Sequence, residues 1–206
     1  YKRQIGERAD LTYPYDYLGA GPDSLSQFIG SDQPSAAKPM VIVGQGALTR
    51  ADGPQVLAAA WKAAGKLGAV KDGWNGFNVL HTAAGRVGAL DVCALPGSGG
   101  GKTTREMLEA AKAGQLDVLF LVGADEIDTQ ALGSTFIVYV GTHGDAGAHR
   151  ADVILAGAAY VEKQVTFVNT EGRPQMTQRA SFPPGEARED WAIFRALSEA
   201  IGSTLP

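Results

Sequence analysis

The chain has 206 residues, 45 % of them apolar and 19 % charged, with a formal net charge of −4. That is enough apolar material for one sizeable buried core, and no Lys/Arg cluster is dense enough to track a phosphate backbone, so nucleic acid is not an expected partner. The longest apolar runs, such as 118–122 and 136–140, are too short to span a bilayer, and a single cysteine, Cys93, excludes an internal disulfide and a cysteine-ligated iron–sulfur cluster made by this chain alone.

Residues 1–37 are polar and turn-rich, with Pro14, Gly19, Gly21 and Pro22 among Tyr13, Tyr15 and Tyr17. They read as an extended arm. The run "PMVIVG" (39–44) reads as a strand buried on both faces. Pro54 suits the first turn of a helix whose stripe is Val56, Leu57, Ala60, Trp61, Ala64 and Leu67, and Gly68 can end it. "FNVLH" (77–81) reads as a strand, 82–90 as a short helix, and "LDVCAL" (90–95) as a brief strand ending near Cys93. Residues 104–113 read as a helix, and "DVLFLV" (117–122), "TFIVYVG" (135–141) and "ADVILAG" (151–157) as strands. A proline-initiated helix closes the chain, with Ala187, Trp191, Phe194, Leu197 and Ile201 as its buried stripe. Short apolar runs alternating with helices imply βαβ units, hence an α/β fold with a mainly parallel sheet and helices on both faces.

Three stretches resemble ligand motifs. "CALPGSGGGKTT" (93–104) approaches a phosphate-binding loop, but Pro96 stands where the first glycine belongs, and proline brings a fixed φ and no N–H donor. Thr103 and Glu106 alternatively form a capping box opening the next helix, leaving Lys102 in water. "GQGALT" (44–49) is half of a dinucleotide fingerprint, with Thr49 in the place of its third glycine. "THGDAGAHRAD" (142–152) gathers His143, Asp145, His149 and Asp152 at spacings that match no metal site, within a stretch read as a mobile surface loop. His81 reads as structural. No catalytic and no metal-binding residue is expected.

A longer pattern is more specific. Ala151-Asp152-Val153-Ile154-Leu155, Glu162-Lys163 and Thr166-Phe167-Val168-Asn169-Thr170-Glu171-Gly172-Arg173 resemble the signature region of the molybdopterin oxidoreductase superfamily. Within it, "KPMVIVGQGAL", "LFLVGAD", "GTHGDAGAHRADVILAGAAYVEK" and "PPGEAREDWAIFRALSE" are most similar to the large iron–sulfur subunits of respiratory complex I, both the bacterial NADH-quinone oxidoreductase form and the mitochondrial 75 kDa form. The similarity runs from about Tyr13 to Pro206. On their own letters, residues 169–173 read as a turn built on Gly172, with Glu171 and Arg173 paired across it.

The resemblance implies a formate dehydrogenase-like α/β domain. Active superfamily members commonly hold the pterin with a G-x-N-P loop and a T-E-T loop; here these read Gly123-Ala124-Asp125-Glu126 and Gly144-Asp145-Ala146-Gly147, and Ala156 replaces a customary proline. Carboxylates at Asp125 and Glu126 would repel an anionic pyrophosphate. The expectation is therefore a degenerate pterin site at Gly123, Asp125 and Asp145, with no cofactor and no small-molecule ligand in this chain. The 2Fe–2S and 4Fe–4S clusters would sit in an N-terminal part of the parent subunit. Other peripheral-arm subunits of complex I are the implied partners, with the tyrosine-rich arm and the glycine loops at 97–101 and 141–147 as docking surfaces. The implied location is the cytoplasmic face of the bacterial inner membrane or the matrix side of the mitochondrial one. The expected organisation is an arm (1–37), an α/β domain (38–160) and a signature turn with C-terminal helix (161–206). Two alternatives stay open: a fragment of an active molybdopterin oxidoreductase, and an independent nucleotide-binding protein using residues 97–104.

Overall fold

The computed structural model describes residues 3–6, 8, 10, 12–32, 35–97 and 101–205. The chain forms two compact units, residues 1–87 with 168–173, and residues 88–167 with 174–206. The division falls inside the stretch expected to be one α/β domain.

In the first unit, two short parallel strands, β1 (Arg3–Gln4) and β2 (Asp16–Tyr17), precede helix α1 (Pro22–Gly30). The arm is thus not simply extended. Pro22 at the helix start supplies the fixed φ, and Leu25, Phe28 and Ile29 give the segment a helical period that its turn residues mask. Strand β3 (Val41–Gly44) leads through a 3-10 turn at Gln45–Ala47 into α2 (Gly53–Leu67), which ends on Gly68 at φ 68°. Lys66 of α2 donates from Nζ to the carbonyls of Ile29 (2.6 Å) and Ser31 (2.8 Å), satisfying the end of α1 and placing a cation at its negative pole. A two-stranded antiparallel ribbon, β4 (Val70–Lys71) with β5 (Trp74–Asn75), then delivers β6 (Phe77–Leu80) beside β3 in parallel.

The register Val41↔Phe77 and Val43↔Val79 puts these four side chains on one face, and α2 packs there, with Trp61 edge-on to Phe77 at 5.1 Å. Burial of β3 on both faces does not hold: Val43 is buried, whereas Met40 and Ile42, on the opposite face, are 54 % and 55 % exposed. The α2 stripe is also shifted. Ala60, Ala63 and Ala64 are buried, whereas Trp61, edge-on to Phe77, stays 55 % exposed.

Helix α3 (Arg86–Asp91) spans the division between the units. The brief strand expected at 90–95 is instead the end of this helix. Cys93 N–H donates to Leu90 O (3.0 Å) and Ala94 N–H to Ala89 O (2.8 Å), a Schellman arrangement with Cys93 at φ 55° in the slot that glycine usually takes.

The second unit holds α4 (Thr104–Lys112) and a parallel three-stranded sheet ordered β7 (Val118–Val122), β8 (Phe136–Gly141), β9 (Val153–Ala156). Residues 129–132 form a 3-10 turn between β7 and β8, and α5 (Ala146–Arg150) connects β8 to β9. Residues 142–152 therefore include a helix and are not a featureless loop. One sheet face contributes Leu121, Ile137 and Tyr139 to a buried cluster with Ala111 of α4 and Leu132. On the other face Phe120 meets Phe194 of α6 (Asp190–Ala200) at 6.1 Å. Helix α6 begins at Asp190, after a turn in which Ala187 N–H bonds Pro184 O, so the prolines precede it. Its stripe is only partly buried: Trp191 and Ile201 are 63 % and 69 % exposed. Strands β10 (Thr166–Val168) and β11 (Pro174–Met176) pair around the 169–173 turn.

Among the described residues, no helix is long and apolar enough to cross a membrane.

The expected capping box is present: Thr103 N–H and Oγ1–H both donate to Glu106 Oε2 (2.7 and 2.8 Å), and Glu106 N–H donates to Thr103 Oγ1 (3.3 Å). The Thr103 backbone bond, then its hydroxyl, holds the Glu106 carboxyl below the usual carboxylate range. Thr103→Ala is expected to weaken α4 by about 1 kcal/mol. Faster amide exchange in the first turn of α4 checks it, and because Glu106 titrates low, the difference from the parent should persist at neutral pH and fade on acidification through that titration.

Candidate functional site

Strands β7 and β8 are adjacent and parallel, so their carboxyl ends bring together loops 123–126 and 141–147, the place where open α/β sheets commonly take ligands. Gly123 turns the chain off β7 at φ 57° and donates its N–H to Val140 O (2.8 Å). Two residues later Asp125 points back over the end of β8. Its Oδ2 accepts from the Tyr139 hydroxyl at 2.9 Å, and its Oδ1 accepts from the Gly147 N–H at 2.9 Å.

Asp125 thus satisfies one of the amide groups at the start of α5, which the short turn cannot satisfy internally. It also satisfies a phenol buried to 1 % exposure. Asp145 is the N-cap residue of α5 but makes no side-chain capping bond. The capping carboxylate comes instead from across the crevice.

Two glycines frame the ring. A Cβ at Gly147 would stand 2.7 Å from Tyr139 Cδ2 and Cε2, and 2.9 Å from Asp125 Oδ1; a Cβ at Gly141 would fall on Tyr139 Cζ and its hydroxyl. The ring therefore fills the space between the loops. Burial, first, and then the hydrogen bond and charge of Asp125, with a contribution from Asp145, push the Tyr139 hydroxyl up to about 12.

The remaining candidates are placed apart. His143 Nδ1 lies 2.8 Å from Thr142 Oγ1, and Asp152 Oδ2 accepts from Ile137 N–H at 2.7 Å with Arg150 at 3.5 Å. Among the described residues no group of three His, Cys, Asp or Glu converges as a metal site. In the half-fingerprint at 44–49, Gln45 Oε1 takes both the N–H and the hydroxyl of Thr82 (2.7 and 3.1 Å), closing the carboxyl ends of β3 and β6 with protein atoms. His81 leaves a buried Nδ1 without a partner among the described residues.

Of the phosphate-loop candidate, Ser98, Gly99 and Gly100 lie outside the described residues; Thr103 is engaged by Glu106, and Cys93 is exposed. In the signature region, Glu162 Oε2 accepts from Ala159 N–H (2.9 Å) and Lys163 pairs with Asp190 at 2.8 Å. The 169–173 turn is held by Asn169 Oδ1, which accepts from Glu171 N–H (3.0 Å) and Arg173 N–H (2.9 Å), with Gly172 at φ 80°. Among the described residues no ion pair joins Glu171 to Arg173; the Asn169 side chain closes the turn at shorter range. Tyr13 and Tyr17 of the arm are partly exposed, and Arg8 lies 5.7 Å over the Tyr17 ring.

Parallel strands, the crossovers between them and loops that meet at their carboxyl ends define an α/β protein. The chain belongs to the molybdopterin oxidoreductase family, whose model matches residues 3–200. It is 42 % identical over 209 residues to the NADH-ubiquinone oxidoreductase 75 kDa subunit of Reclinomonas americana, covering 98 % of this chain and 29 % of that protein. A mitochondrial NADH-ubiquinone oxidoreductase 78 kDa subunit of Candida albicans is 42 % identical over 208 residues, covering 98 % of this chain and 27 % of its own length. An NADH-quinone oxidoreductase subunit of Rickettsia bellii is 37 % identical over 204 residues, covering 96 % of this chain and 28 % of its own length. The chain thus spans less than a third of the length of these relatives.

Proposed function

We propose that this chain is a cofactor-free structural domain of the large iron–sulfur subunit of a proton-translocating NADH:quinone oxidoreductase. The carrying observation is Asp125. Its carboxylate takes the Gly147 N–H and the Tyr139 hydroxyl, donors that β8 and the start of α5 would otherwise offer to an anionic group at the ends of β7 and β8. A pterin pyrophosphate brought there would lose both donors and meet Asp125 and Asp145 as like charges. The residues do not fit that group, so no step of a reaction runs through it here. Gly123, Asp125 and Asp145 are degenerate pterin-loop positions with a packing role.

The similarity to the 75 kDa, 78 kDa and NADH-quinone oxidoreductase subunits supports the assignment to the parent subunit. In that parent, electrons pass from NADH through iron–sulfur clusters carried by other parts of the polypeptide toward quinone. This domain shields the cluster-bearing part and docks neighbouring peripheral-arm subunits, on the cytoplasmic face of the bacterial inner membrane or the matrix side of the mitochondrial one. Alone it oxidises no NADH.

Elemental analysis and absorbance of the purified chain provide the test. Molybdenum, tungsten, iron and pterin are expected at far below one per chain. A stoichiometric pterin or molybdenum would overturn the reading in favour of an active molybdopterin oxidoreductase.

A further inference from the structure

Segment 177–182 of the second unit is pinned across 161–165. Thr177 brackets Val165, donating its N–H to Val165 O (2.9 Å) and accepting from Val165 N–H on Oγ1 (3.1 Å). Ala180 and Ser181 both donate their N–H to Val161 O, at 2.9 and 3.2 Å. These bonds hold open a crevice of about 310 Å³ lined by Gln164, Gln178, Arg179, Ser181, Phe182 and Glu189.

Its charges are unequally engaged. Glu189 accepts twice, from Gln164 N–H on Oε1 (3.3 Å) and from Trp191 Nε1–H on Oε2 (2.6 Å). Arg179 has no acceptor among the described residues; its guanidinium lies 4.2 Å from the centre of the Phe182 ring. A guanidinium held over a ring face in this way keeps its N–H donors free for an acceptor. The side-chain amides of Gln164 and Gln178 are likewise without partners among the described residues, so the lining presents a set of donors around one fork.

We propose that this crevice anchors a carboxylate side chain of a neighbouring protein subunit, with Arg179 as its bidentate partner. The inference rests on the docking role proposed above. A planar carboxylate matches the guanidinium fork, and Glu189 in the wall, each of its oxygens already engaged by an N–H, repels a single negative charge less than a phosphate dianion. The crevice is open and its ring 76 % exposed, which suits a side chain presented by another surface rather than an enclosed small molecule.

The test uses the full-length parent subunit in its assembled complex, with Ala180→benzoylphenylalanine as a photocrosslinker at the crevice wall. The crosslink is expected on another subunit, in a segment carrying Asp or Glu. Its yield should fall about tenfold when Arg179→Glu is added and less for Arg179→Lys, as the loss of a charge-assisted pair predicts. A yield independent of Arg179, a segment without a carboxylate, or capture only within the same polypeptide overturns the anchor. Where Arg179→Glu prevents assembly, the full chain is titrated with N-acetylglutamate amide and N-acetylglutamine amide. Only the first should shift the Arg179 side-chain resonance, and equal shifts overturn the proposal. Pterin in the purified chain would sink the docking role itself, whereas Arg179-independence in pterin-free protein sinks only the anchor.

Discussion

Gly141→Ala is expected to destabilise the second unit by about 3 kcal/mol, near the upper end of what overpacking costs. Gly141 ends β8 opposite Ala156 of β9, so its backbone cannot retreat without breaking the ladder. The Tyr139 ring cannot retreat either. It is 1 % exposed, Gly147 bounds it on the far side, and its hydroxyl is tied to Asp125. A new methyl group at Gly141 would fall on the phenol carbon and oxygen. Moving the ring breaks the Asp125 bond and leaves a buried hydroxyl and a half-buried carboxylate oxygen each short of a partner. Gly144→Ala is the control, because a Cβ there meets nothing within 4 Å and the residue is not in the left-handed region. Native-state amide exchange in Phe136–Gly141 measures both. An equal response of the two variants would show that the ring is not confined as the geometry requires.

That confinement is not legible in the sequence, although the strands around it are. Continuous apolar runs mark Val118–Val122 and Phe136–Gly141 almost to the residue, although only the second is buried through most of its length; Val118, Phe120 and Val122 stay 39–45 % exposed. The Thr103–Glu106 box is equally plain, being a contact between residues three apart. In the sequence Asp125 is only a repulsive charge in a changed loop. Its partners lie 14 and 22 residues further on, at separations that only the folded sheet closes.

The other differences follow from the same limit. Leu90, Val92 and Leu95 look like a strand until Cys93 is seen to leave a helix through a left-handed residue. The period of α6 is plain in its letters, but period alone does not say what covers a face, and Trp191 stays largely exposed within this chain. The functional reading comes from long similar stretches. The observation that supports the proposal, a carboxylate of the first loop bonded to β8 and to the start of α5, comes from the structure.

The Asp125–Tyr139 pair also predicts an alkaline transition. The Tyr139 hydroxyl is raised from 10.0 to about 12, chiefly by burial and then by Asp125, so the folded state holds this proton more tightly than the unfolded chain does. Its contribution is fully present below about pH 10 and is lost as the pH rises through about 12, where a buried phenolate would face Asp125 and Asp145. The linked loss is roughly 2–3 kcal/mol. Tyr139→Phe should be less stable at neutral pH by about 1 kcal/mol, the usual worth of one hydrogen bond, yet flatter across that alkaline window. Asp125→Asn removes the charge but not the burial, so it should bring the Tyr139 titration only part of the way back toward 10.0. Tyrosinate difference absorbance reads the proton, and amide exchange in β8 reads the stability. A late tyrosinate step that survives in Tyr139→Phe would assign it to another tyrosine and detach the alkaline loss from this crevice. Its disappearance, with the alkaline loss, would tie both to the bond between β8 and the Asp125 loop.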